Sequence, residues 1–271
     1  MNFDSLTRLP VPPLESSISA SQQVVLDQMM MFSVAVTLIA ALYGLLDWRK
    51  TKSPTFLFLL LGGGLAVIFE PFNDILGGCW HPINGQTPVF ELMGRPMPMW
   101  VILIYFVVYG VQGAVMYRIL REPVKARIMW LAFAFPIIAQ IAMETSMMRL
   151  DLYYYYGNQP LLFHKFPLYW AVGNAIVFYM AAVITILFQP CLRGWRMLMI
   201  PLITPLADAA FAPLVVFPSA MALNSQIPNW ATQTAGVLSF VIAFMVVSIA
   251  INLLTHPSRA DLQRAFQKQP T

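Results

Sequence analysis

Seven stretches of the chain are apolar for about the 20 residues that a helix needs to cross a bilayer. They fall at 25–47, 54–76, 98–119, 127–149, 167–189, 195–219 and 229–254. Together they use most of the chain and leave no room for a separate soluble domain. The pattern predicts an all-α integral membrane protein built as a seven-transmembrane-helix bundle. Residues 25–254 form the bundle, 1–24 an outer N-terminal tail and 255–271 a cytoplasmic C-terminal tail.

The segments between the spans differ in kind. Two connections, 77–97 ("GGCWHPINGQTPVFELMGRPM") and 150–166 ("LDLYYYYGNQPLLFHKF"), are longer and carry the turn residues of loops. The tyrosine run in the second has two readings, an aromatic belt at the membrane interface or a lid over an outward-facing cavity. The other connections are short and basic. Inside the spans, Pro71, Pro136, Pro201, Pro205 and Pro213 interrupt the apolar runs, and the sixth span is expected to bend. Gly62, Gly63 and Gly64 let a neighbouring helix approach closely.

Composition narrows the class. Hydrophobic residues make up 59% of the chain and charged residues only 10%, where a soluble domain carries about 25%. Charge placement then orients the bundle. Arg49, Lys50 and Lys52, then Arg118, Arg121, Lys125 and Arg127, then Arg193 and Arg196, and finally Arg259, Arg264 and Lys268 all fall on alternate connections and the tail. By the positive-inside rule the N-terminus is outside and the C-terminus inside. The net charge of +4 is thus a topology signal and no nucleic-acid footprint. Short loops favour a bacterial inner membrane. Cys79 and Cys191 fall on opposite sides, so neither a disulfide nor a cysteine metal site is expected. His81, His164 and His256 lie in loops or tail without metal-ligand spacing, and neither metal nor organic cofactor is expected. The last span lacks the lysine that retinal requires, and no G-x-S-x-G elbow is present.

The candidate chemistry lies in the polar residues within the spans. Glu70 and Asp74 share a helix face by their four-residue spacing, as do Gln140 and Glu144. Asn174, Asp208, Gln112 and Gln233 add polar groups from four further spans. Intramembrane ionisable residues face the bundle interior and mark functional sites; a structural hydrogen-bond role is the alternative. The spans hold no Lys, and Arg149 is the cation placed to reach Asp151 or Glu144. At least one of Glu70, Glu144 and Asp208 is then expected to keep its proton near neutral pH and act as a general acid. Asp74, Asn174, Gln112, Trp80, Tyr105 and Trp170 are the candidate substrate contacts. Further aromatics, among them Phe69, Phe72, Trp100, Tyr109, Phe178 and Phe211, offer an aromatic wall that suits a carbocation.

Seven spans, an acid in "FEPFND" near the end of the second and another in "PLAD" in the sixth resemble the membrane-integral terpene cyclases of meroterpenoid and indole-terpenoid pathways. The resemblance implies that Glu70 and Asp208 are a catalytic pair that protonates an epoxide or terminal olefin of a lipophilic isoprenoid substrate. Glu144 has no counterpart in it. Two other classes stay open on the residues alone. One is a carrier or binder whose acids hold a cation or relay protons, and the other is an accessory subunit whose acids face lipid and contact a partner helix. The oligomeric state is not set by the sequence.

Overall fold

A computed structural model describes residues 10–256; the ends of both tails, including Arg259, Arg264 and Lys268, lie outside the described residues. Among the described residues, seven helical segments are long and apolar enough to cross a membrane: Ala20–Thr51, Thr55–Gly77, Met99–Arg121, Ala126–Arg149, Tyr169–Phe188, Gly194–Leu223 and Asn229–Thr255. The helical bundle is compatible with a multi-pass membrane protein, where every backbone polar group must be bonded internally.

The first helix, α1 (Ala20–Thr51), starts earlier than hydropathy indicates, because a capping box precedes the apolar run. Ser19 Oγ accepts from the Gln22 N–H, and Gln22 Oε1 accepts from the Ser19 N–H at 2.7 Å. The second span is α2 (Thr55–Leu65), a 3₁₀ turn (Ala66–Phe69) and α3 (Glu70–Gly77) with Pro71 in its first turn. The third is α4 (Met99–Tyr105), a π-helical turn (Phe106–Val111) and α5 (Gln112–Arg121). The remaining spans are α6 (Ala126–Arg149), α7 (Tyr169–Phe188), α8 (Ile200–Leu223) after a 3₁₀ turn, and α9 (Asn229–Thr255). Helix α8 is continuous with Pro205, Pro213 and Pro218 inside it.

The fifth span is the hub. Helix α7 packs against α5, α6, α8 and α9, and 72% of its apolar window is buried, against 17% for α1 at the periphery. The glycines of α2 are where the second span meets the third and the sixth. A Cβ at Gly63 would lie 2.0 Å from the Gly110 backbone nitrogen, and one at Gly62 would lie 2.6 Å from the Pro201 carbonyl oxygen.

At the end of the bundle opposite the basic connections, the two long segments are more ordered than their turn residues suggest. They form three two-stranded antiparallel ribbons. Strand β1 (Cys79–Trp80) pairs with β4 (Tyr154–Tyr155), which ties the two connections together. Strands β2 (Pro88–Leu92) and β3 (Arg95–Pro98) form a hairpin, as do β5 (Leu162–Phe163) and β6 (Phe166–Pro167). Both hairpins turn on two residues of positive φ, Met93 and Gly94 in one and His164 and Lys165 in the other, the backbone twist that two-residue hairpins favour. Composition marks turns, but the cross-segment pairing of β1 with β4 depends on the helices that bring the segments together.

Candidate functional site

The chain just after the second span builds the site. Helix α3 carries Glu70 at its start and Asp74 one turn later, then ends at Gly78 in the left-handed conformation (φ 58°). That cap turns the backbone, and Cys79 and His81 follow in extended chain on the same side. His81 Nε2 comes to rest 3.8 Å from Glu70 Oε1 and 3.6 Å from Asp74 Oδ1. Its ring packs against Trp100 and Tyr153, with centroids 5.3 and 5.4 Å away.

The third span supplies the facing wall. Tyr105 and Tyr109 stack edge to face at 4.7 Å, four residues apart on the stretch that enters the π-helical turn. Tyr105 Oη donates to Glu70 Oε2 at 2.5 Å, and Tyr109 Oη donates to Asn174 Oδ1 at 2.9 Å. From the fourth span, Gln140 Nε2 donates to Glu144 Oε1 at 3.2 Å, and the other Glu144 oxygen makes no hydrogen bond among the described residues. These groups line a partly open cavity of about 70 Å³, room for about five water molecules at 10–15 Å³ each.

The lining sorts the candidates. Glu70, Asp74, Glu144, Asn174, Tyr105 and Trp170 all reach the cavity. Asp208 does not: it is fully buried behind Asn73, whose Nδ2 donates to Asp208 Oδ1 at 3.1 Å. The pair implied by the resemblance is therefore split, with Glu70 on the wall and Asp208 one residue behind it. Trp80 and Gln112 also lie off the cavity. Trp80 instead faces the Arg95 guanidinium, 5.4 Å from its ring, and Tyr156 flanks the same guanidinium on another side at 5.6 Å. Of the other aromatics, Phe178 is buried elsewhere and Phe72 is exposed.

Two expectations need correction, and one open alternative is disfavoured. The acids are not without a buried cation partner, since His81, 3% exposed, stands between Glu70 and Asp74. Arg149 is not the partner of Asp151; Lys165 is, at 2.6 Å. The acids do not face lipid either. Asp74, Glu144 and Asp208 are 2, 7 and 0% exposed and Glu70, 20% exposed, lines the cavity, against the lipid-facing acids that an accessory subunit requires.

Electrostatics at the loop residues follow from burial and from these neighbours. Burial disfavours the His81 imidazolium, but the Asp74 and Glu70 carboxylates outweigh it and raise the group to about 10. For Cys79, burial and the same two carboxylates act together and push the thiol well above its ordinary value. Spacing along the chain hides both residues, because His81 has no nearby histidine and Cys79 no nearby cysteine. The signal present was "DILGGCWH": an acid in the last turn of a helix, a Gly-Gly stop, then Cys and His two apart. Tyr153 and Tyr155 of the tyrosine run also line the cavity, which supports the reading of that run as its cover. The conserved chemistry of a relative gives no further guide: comparison with family models, curated proteins and solved structures finds no match.

Proposed function

We propose that the chain is an integral membrane enzyme that cyclises or isomerises a lipophilic isoprenoid-derived substrate by proton transfer from an intramembrane carboxyl group. The observation that carries this reading is the Glu70–Tyr105 hydrogen bond on the wall of an aromatic cavity at the depth of the spans. Glu70 is the acid: a proton delivered through it from the neighbouring His81 imidazolium, 3.8 Å away, adds to an olefin or epoxide, and positive charge develops on carbon. The rings of Tyr105, Tyr109, Trp100 and Trp170 face that charge. Glu144, with one oxygen free of hydrogen bonds, takes the proton that the cation loses, so substrate and product have the same mass. The cavity accepts only the reacting end of the molecule, and the rest of its apolar chain lies along the bundle in lipid. Asp208 is a positioning residue acting through Asn73.

A carrier is less well supported. The large pocket at the basic end is lined by residues such as Lys52, Arg121 and Arg193 and shares no lining residue with the acid cavity. We place the acid cavity at the outer face, by the positive-inside rule, in a bacterial inner membrane. The test is turnover in membranes presented with terminal isoprenoid olefins and their epoxides, read as a product of unchanged mass and altered retention. Glu70→Gln is expected to lower turnover by about 100-fold or more with expression and helicity intact. Full activity in that variant would remove Glu70 from the mechanism.

A further inference from the structure

The same turn that exposes His81 to the acids also assembles a different kind of site. The ligand atoms of Asp74, Cys79 and His81 all lie within 4.8 Å of one another. The three residues are 2, 5 and 3% exposed. Among the described residues, Asp74 Oδ2 and both ring nitrogens of His81 make no hydrogen bond, although buried polar atoms are normally paired. Three converging groups, two of them with unsatisfied atoms, brought together by the reversal at Gly78, are more than the surface acids that collect at many helix ends.

We propose that Asp74, Cys79 and His81 form a binding site for one transition-metal ion of the zinc class. Ligand type selects the metal. Thiolate with imidazole and carboxylate suits Zn²⁺ or Co²⁺, whereas Ca²⁺ and Mg²⁺ take oxygen alone. Size agrees as well: metal–ligand bonds of 2.0–2.3 Å in a tetrahedron place ligand atoms about 3.3–3.8 Å apart. The His81 Nε2–Asp74 Oδ1 separation is already 3.6 Å. On binding, Cys79 gives its thiol proton and the His81 imidazolium its ring proton to solvent, and the ion takes over the positive charge beside Glu70. All three ligands line the acid cavity, so the fourth coordination position faces it, the arrangement of three protein ligands and one open site found in catalytic zinc centres. The proposal does not depend on the isoprenoid reading, and its readout is metal binding rather than turnover.

The experiment uses the full chain, free of any affinity tag, purified in detergent, stripped with a chelator, equilibrated with Zn²⁺ or Co²⁺ and desalted. Elemental analysis is expected to find about one ion per chain, and the Co²⁺ form to show thiolate-to-metal charge-transfer absorption. Cys79→Ser is expected to lose the absorption and His81→Ala the stoichiometric ion, while Cys191→Ser keeps both. Should the two site variants fail to fold, the wild type and Cys191→Ser decide the matter on their own. Fewer than about one ion in ten chains, or absorption that disappears with Cys191 in place of Cys79, overturns the proposal.

Discussion

At the residue scale, position relative to the cavity separates acids that look alike in the sequence. Glu70 touches the cavity, accepts from Tyr105 and lies beside His81; Asp208 touches only Asn73 among hydrogen-bonding side chains. Asp208→Asn keeps an oxygen that can accept from Asn73 and removes a buried ionisable group. It is expected to fold as well as the wild type and to lower turnover by less than about 10-fold, against the 100-fold or more for Glu70→Gln. Both variants assayed side by side on the same substrate check this, and equal losses would return Asp208 to the chemistry. Glu70 and Glu144 were legible as candidates because ionisable groups in apolar runs stand out. Cys79 and His81 were not, since their role arises from a reversal of the chain that brings the residues after Gly78 back over Asp74.

At the scale of elements, close packing between α2 and the π-helical turn of the third span sets where Tyr105 and Tyr109 stand. Gly63 and Gly110 meet backbone to backbone, so an added methyl has a main-chain atom 2.0 Å away and no flexible side chain to displace. Gly63→Ala is expected to cost about 1–3 kcal/mol of stability and to disturb the cavity wall. Gly113→Ala, where the nearest atom is Phe178 Cβ at 3.5 Å, is expected to change stability by less than about 0.5 kcal/mol. Thermal unfolding of both in detergent makes the comparison. The glycine cluster was readable as a contact surface from "LGGGL", but its partner glycine, nearly fifty residues along the chain, was not.

For the whole molecule, the bundle has two chemically distinct ends, one basic and one built of aromatic ribbons over the acid cavity. Orientation can be read with the protein's own thiols. Cys191 lies half-buried at the basic end and Cys79 is buried at the other. A membrane-impermeant thiol reagent is expected to label Cys191 in inverted vesicles and to leave sealed right-side-out vesicles unlabelled. Labelling with the opposite sidedness would reverse the topology and place the acid cavity at the inner face.

By itself the sequence determined the number of spans and their limits to within a few residues, the charge difference between the two ends, and which spans carry polar groups. Those properties are local, since hydropathy and charge act on each segment separately as it meets the bilayer. Only the tertiary structure decided which polar groups meet. It put Tyr105 on Glu70 across 35 positions and Asn73 on Asp208 across 135, left Trp80 and Gln112 off the cavity, and folded Cys79 and His81 back onto Asp74. Such meetings depend on helix packing and on one backbone reversal at Gly78, and spacing along the chain carries neither.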